Sequence, residues 1–184
     1  KILIQNTISN DSLSALKQEI RLSNQNIQFQ YVPIEKLDKM SNNQNHQGVV
    51  AIASFVSYQD LEKVVNDSFD KKEVPFLVYL DHITDVRNLG AIARTCECAG
   101  VTCLVLPNEG SAQINQDSIK TSAGALLRLP ICKVNNIKTA LNFLHQVGVK
   151  VISATEKTNN IYTNSSYKEP LLLILGAEDK GISK

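Results

Sequence analysis

Between two apolar runs, PFLVYL and VTCLVL, the chain carries DHITDVRNLGAIARTCECAG over residues 81–100. This stretch leaves a strand through Asp81, Asp85 and Asn88 and enters an alanine-rich helix bearing a lone Arg94. Carboxylates accept hydrogen bonds, a carboxamide both donates and accepts, and a guanidinium grips phosphate or carboxylate through two parallel bonds. A second polar stretch, GAEDKG at Gly176–Gly181, again follows an apolar run, LLLIL. There Gly176 removes a side chain where a ligand could approach, Glu178 and Asp179 add negative charge, and Gly181 permits a tight turn. No G-x-G-x-x-G fingerprint, P-loop or nucleophile elbow is present.

Each of these residues also has a plain structural explanation. Asn88 can cap the helix that follows it, and Asp85 can serve the same positive end. Leu89, Ile92, Ala93 and Cys96 make an apolar stripe at helical spacing, and Arg94 projects nearly opposite to it. Such an arginine is either solvated or aimed at a phosphate in a neighbouring cleft. GAEDKG alone reads equally as a strand-to-helix turn, and TSAGALLRLP, residues 121–130, as a helix end followed by a turn.

The elements that must position these residues alternate. KILIQ and VVAIAS read as strands, and IQFQYV as a half-buried strand with Ile27, Phe29 and Tyr31 on one face. Between them Asp11 and Ser12 are expected to cap a helix through Leu13, Leu16 and Ile20, IEKLDKM suits one or two helical turns, and SNNQNHQG is a loop. These make a small α/β unit over residues 1–57, with 58–74 as a connecting helix and linker. From Pro75 the runs PFLVYL, VTCLVL, VKVISA and LLLILG read as strands buried on both faces. Helices are expected at 88–99, around 117–125 and at 137–147, with Gly100 and Gly148 where C-terminal caps belong. Strand, helix, strand repeated in this way implies a parallel α/β sheet with right-handed crossovers. Ligands of such sheets lie at the C-terminal ends of the strands, so the loops after Leu80, Ala154 and Leu175 should share one edge.

Composition narrows the function classes less. The chain has 184 residues, 43% hydrophobic and 20% charged, with net charge +1. That balance supplies no global basic field for nucleic acid, and leaves room for a local basic patch. The four cysteines, Cys96, Cys98, Cys103 and Cys132, lack a C-x-x-C pair, and His46, His82 and His145 lack metal-pair spacing. Reduced, mostly buried thiols in a cytoplasmic protein are expected. No apolar run reaches the ~20 residues of a membrane span, and there is no signal peptide.

Read in order, HQGVVA, DHITDVRNLGAIART, TSAGALLRLPI and LLLILGAEDKG resemble the SpoU (TrmH-like) branch of the SPOUT RNA methyltransferases. The similarity is closest to the subgroup that methylates a guanosine ribose 2′-oxygen in large-subunit ribosomal RNA. The resemblance implies an L30e-like RNA-binding domain over 1–57 and a parallel-sheet methyltransferase domain with a trefoil knot from residue 75. It further implies S-adenosylmethionine as cofactor, no metal, and a homodimer. By position, Asn88, Arg94 and Glu178 match the family's catalytic polar residues. Thr155, Leu175, Gly176 and Ala177 match its cofactor-binding loops. The chain departs in having Val86 where the first motif often has proline, and in stopping at Lys184 before the third motif, so both ends read as cut. Other readings are a transfer RNA 2′-O-methyltransferase, a non-catalytic RNA-binding paralogue, or an ordinary nucleotide-binding α/β domain. The retained Asn88, Arg94 and Glu178 speak against the second, and the missing phosphate-binding glycine loop against the third.

Overall fold

The computed structural model describes residues 1–22, 27–52 and 54–183, with residues 10–12, 15 and 21 as backbone only. The chain divides into two compact units, Lys1–Ser54 and Phe55–Lys184.

In the first unit, β1 (Ile2–Gln5) is flanked by β2 (Phe29–Val32), parallel to it, and β3 (Val49–Ala51), antiparallel. Two helices, α1 (Asn10–Leu22) and α2 (Ile34–Met40), join the strands. Alternation along β1 feeds both faces: Ile2 and Ile4 pack with Leu13, while Leu3 packs with Val32 and Leu37. Helix α1 begins at Asn10, so Asp11 and Ser12 lie inside its first turn, and their side chains are outside the described residues. Phe29 and Ile27 pack as expected, whereas Tyr31 is half-exposed on an edge strand and lies under the Lys17 ammonium. The 41–48 loop is fastened by His46, whose Nε2 is 2.9 Å from Asp38 Oδ1 and whose Nδ1 accepts the Gly48 N–H at 3.0 Å.

The second unit is a six-stranded sheet in the order β4-β7-β6-β5-β9-β8, with every neighbouring pair parallel. Its elements are β4 (Tyr58–Gln59), α3 (Leu61–Asp70), β5 (Phe76–Asp81), α4 (Val86–Cys98), β6 (Cys103–Pro107), α5 (Gln116–Thr121), β7 (Ile131–Val134), α6 (Ile137–Gln146), β8 (Lys150–Ala154) and β9 (Leu171–Gly176). Short 3-10 turns occur at Ala125–Leu127 and Tyr162–Asn164. Leu77 and Tyr79 of β5 pack in the core beneath α3 and α6, while Val78 and Leu80 pack in the core beneath α4. Both faces of the central strands are therefore covered, as their unbroken apolar runs require.

Three expectations need correction. Residues 58–74 are not simply a linker: β4 pairs with β7, and Leu61, Val64 and Val65 of α3 are buried in the core. The run ICKV, just past the turn expected at 121–130 and assigned to no element, is strand β7. VKVISA is largely exposed, because β8 is an edge strand with a neighbour on one side only. Of the four cysteines, Cys98 is exposed and the other three are buried, with the Cys103 and Cys132 sulfurs 3.8 Å apart.

Candidate active site

The strand register assembles the site. Asp81 at the end of β5 is opposite Gly176 at the end of β9, and Ala154 at the end of β8 is opposite Leu175. The loops after β5, β8 and β9 thus leave one edge side by side. The chain steps from β5 outward to β6 on one side, while β9 flanks β5 on the other. Such a reversal opens a crevice at the carboxyl ends of the strands.

Helix α4 begins two residues earlier than its sequence suggests. Asp85 is its cap, accepting the N–H groups of Arg87 at 2.6 Å and Asn88 at 3.0 Å. These bonds hold the Asp85 carboxyl below its ordinary pKa. With the cap supplied by Asp85, Asn88 is left exposed on the wall of a cleft of about 500 Å³. His82, Asp85, Gly176, Ala177 and Glu178 line the same cleft, so Asn88 and Glu178 come together from loops that are far apart in sequence.

Gly176–Gly181 is a folded-back turn. Ala177 N–H donates to Gly181 C=O at 3.1 Å, and Gly181 N–H donates to Ala177 C=O at 2.7 Å. A Cβ on Gly176 would stand 2.2 Å from the Gly181 carbonyl carbon, so only glycine fits there. Gly181 itself takes the left-handed φ of +69°. On the far side of this turn lies a second cleft of about 300 Å³, lined by Thr155–Lys157 from the β8 loop and by Gly176–Ile182. Thr155 is exposed there, and its hydroxyl accepts the Lys157 N–H at 3.2 Å.

Two expected residues stand apart. Leu175 turns its side chain toward α4, against Ala91 and Ile92, and offers only its backbone to the edge. Arg94 is exposed, lines neither cleft and makes no ion pair with Glu178 among the described residues. It lies seven residues after Arg87, which puts the two on the same outward face of α4.

Sequence reasoning missed Asp81 and His82 as a pair. Asp81 is buried, and its Oδ1 is 2.7 Å from His82 Nδ1 while its Oδ2 accepts the Ser183 N–H at 2.5 Å. Burial alone would push the Asp81 carboxyl up, but the hydrogen bonds from Ser183 and His82 outweigh it and hold the pKa below its ordinary value. His82 adopts a left-handed φ of +57° and presses toward Gly110, where a Cβ would come within 3.0 Å of its ring. The available signal was a carboxylate directly followed by a histidine at a strand end, a pattern that a search for metal-pair spacing passes over.

Residues 75–184 match the model of the SpoU rRNA methylase family, and residues 1–59 match that of RNA 2′-O ribose methyltransferase substrate binding. The chain is 33% identical over 160 residues to YacO of Bacillus subtilis, which is assigned to the TrmH family of tRNA/rRNA methyltransferases; the match covers 87% of this chain and 64% of YacO. A TrmH-family relative from Staphylococcus haemolyticus is 30% identical over 184 residues, covering 100% of this chain and 73% of that one. The SpoU methyltransferase AviRb from Streptomyces viridochromogenes, solved in complex with AdoMet, superposes with a TM-score of 0.59 at 18% identity, covering 99% of this chain and 66% of AviRb. The TrmH/SpoU tRNA modifying enzyme of A. aeolicus superposes at 0.53 with 26% identity, covering 66% of this chain and 62% of that one. The likeness to AviRb establishes the fold.

Proposed function

Because the chain belongs to the SpoU rRNA methylase family, we propose that it transfers a methyl group from S-adenosylmethionine to a ribose 2′-oxygen of RNA. The observation that carries this reading is the meeting of Asn88 and Glu178 in one cleft at the β5–β9 edge, beside a glycine turn crowded by its own backbone.

The residues present suit the cofactor. The 300 Å³ cleft between Thr155 and the Gly176–Gly181 turn is at the lower end of small-molecule pockets. Ala154, Gly176, Ala177 and Gly181 leave room along part of its wall, and Glu156, Glu178 and Asp179 outweigh Lys157 and Lys180 there, a balance that admits a cationic donor. S-adenosylmethionine supplies a methyl carbon already bonded to a good leaving group. The protein's task is then to hold, align and manage a proton. Thr155, Gly176, Ala177 and the Leu175 backbone hold the donor. Asn88 orients the ribose through its carboxamide. Arg94, together with Arg87 on the same outward face of α4, grips a substrate phosphate at the rim through its forked N–H donors. Glu178 fixes the second loop.

Within this reading the substrate is a guanosine of large-subunit ribosomal RNA; the rRNA methylase model matched by residues 75–184 supports ribosomal RNA, and the substrate-binding model matched by residues 1–59 supports RNA binding by the N-terminal unit. The alternative substrate is transfer RNA, which the relatives' tRNA/rRNA designation equally admits. The enzyme works as a homodimer in the cytoplasm. An apolar groove of about 290 Å³ along α4, lined by Ala91, Ile92, Thr95 and Ala99 with Leu173 and Leu175, suits the dimer contact. No helix among the described residues is long and apolar enough to cross a membrane. Mass-spectrometric mapping of ribose methylation in RNA from cells with and without the gene tests the function. Loss of one 2′-O-methylguanosine from large-subunit RNA is expected, and unchanged ribosomal and transfer RNA would overturn the proposal.

A further inference from the structure

Resting on that proposed reaction, we infer that His82, oriented by Asp81, is the base that accepts the proton of the 2′-hydroxyl. The geometry gives its tautomer. Asp81 Oδ1 is 2.7 Å from Nδ1, and an ionised carboxylate can only accept, so Nδ1 carries the proton. Nε2 makes no hydrogen bond among the described residues, so in the neutral ring it is the nitrogen that holds the lone pair. The imidazole is about half exposed and lines the cleft that holds Asn88 and Glu178, while Asp81 beneath it is buried at 1% exposure. A buried carboxylate that fixes one nitrogen of a half-exposed, cleft-lining imidazole and leaves the other nitrogen without a hydrogen-bond partner among the described residues is the arrangement general bases require.

The other candidates for this role are poorer. Arg94 lines neither cleft and a guanidinium offers only donors, while a carboxamide such as that of Asn88 is a poor proton acceptor. Glu178 lies in the cleft, yet on the turn that also faces the cofactor pocket. In the step itself, the 2′-oxygen gives a lone pair to the methyl carbon as its O–H proton passes to His82 Nε2. The carbon–sulfur bonding pair returns to sulfur, which leaves neutral. The imidazolium then shares its Nδ1 proton with Asp81, whose second oxygen remains tied to the Ser183 N–H at 2.5 Å. His82 is thus a catalytic residue and Asp81 a positioning residue, one that also fastens the end of the cofactor loop.

The charged groups around His82 are Asp81 beneath it, Asp85, Glu178 and Asp179 on the cleft walls, and Glu109 beside Gly110 on the adjoining loop. All of these named groups are acidic.

The test uses the full-length protein and two readouts. In the first, nitrogen NMR of histidine-labelled protein without cofactor should show His82 in the Nδ1–H tautomer, with Asp81→Asn shifting it toward Nε2–H. In the second, His82→Asn, which tolerates the left-handed backbone, and His82→Gly, which relieves it, should each lower single-turnover methyl transfer by about 10²–10⁴-fold. Both variants remove a donor to buried Asp81 and should lower the melting temperature no more than Asp81→Asn does, and both should flatten the pH dependence of the single-turnover rate, which a merely structural role would not move. An Nε2–H tautomer, or a His82→Asn enzyme within about twofold of wild type with an unchanged pH profile, overturns the assignment. A wild type that methylates neither ribosomal nor transfer RNA overturns the proposed function instead, and this assignment with it.

Discussion

Asn88 and Arg94 share helix α4, yet they face different surroundings: Asn88 looks into the 500 Å³ cleft, and Arg94 looks outward with Arg87. Little packing would be lost by shortening Arg94, so Arg94→Ala should change stability by less than about 0.5 kcal/mol. If it grips the substrate phosphate, the same change should lower kcat by about 10²–10³-fold, while cofactor affinity stays at the wild-type value. Calorimetric titration and single-turnover assays separate the two effects, and near-normal turnover would return Arg94 to an ordinary solvated side chain. Asp81 supports a prediction of the opposite kind, one about stability. Its folded-state pKa is depressed from the ordinary 3.8. Its contribution is therefore fully present above that value and is lost as pH falls through the lower folded one. Asp81→Asn should cost about 1–3 kcal/mol at neutral pH, and urea titrations should show the gap to wild type narrowing below about pH 4. A gap independent of pH would show that the charge of Asp81 is not what stabilises the edge.

At the scale of elements, close backbone approach sets the limits. A Cβ on Gly90 of α4 would lie 2.7 Å from the Ser118 carbonyl oxygen and 2.8 Å from Thr121 Cβ, both in α5. Gly90→Ala should force the helices apart and cost about 1–3 kcal/mol by thermal or urea unfolding, despite the better helix propensity of alanine. Gly176→Ala meets backbone at 2.2 Å and must displace the turn itself. We expect cofactor affinity to fall at least tenfold by calorimetry while the core of β5 and β9 stays folded. The elements differ in how far the sequence betrayed them. PFLVYL and LLLILG were readable as strands because burial on both faces demands unbroken apolar runs. ICKV and the two residues of β4 were not, because strands that short exist only through the partners they pair with. The three loops of the site were placed correctly by strand direction alone. The owner of the α4 cap was not, since Asp85 and Asn88 are both good caps and only the backbone path decides between them. His82 was invisible for a related reason: its partner is its own neighbour in sequence, and adjacency alone does not reveal that one of the two is buried.

The molecule as a whole carries a net charge of +1, too little to resist self-association. A homodimer built on the second unit is expected, with the apolar groove along α4 at its contact. Ile92→Asp, which places a charge in that groove, should shift light scattering from dimer to monomer at micromolar concentration. A dimer unaffected by the change would place the interface elsewhere. RNA affinity should depend on local arginines more than on overall charge, so the double change Arg87→Ala with Arg94→Ala should flatten the salt dependence of binding by about 1.4 in log–log slope, for two phosphate contacts on single-stranded RNA.

The pairing of β5 with β9 has a consequence for biosynthesis. β5 ends at Asp81 and its six-residue partner begins only at Leu171, so about ninety residues separate them along the chain. At about 5–20 residues per second, a ribosome needs roughly 5–18 s to bring the second strand out after the first. Throughout that interval Leu77–Leu80, a fully buried stretch of the sheet, has β6 available on one side and an unsatisfied row of backbone groups on the other. The first unit is spared this wait, because β3 reaches β1 within the first 51 residues. A nascent chain stalled between the two strands would therefore display the paired strands β1 and β3 of the first unit together with an open, sticky sheet edge in the second. That is the form a chaperone at the tunnel exit would be expected to hold.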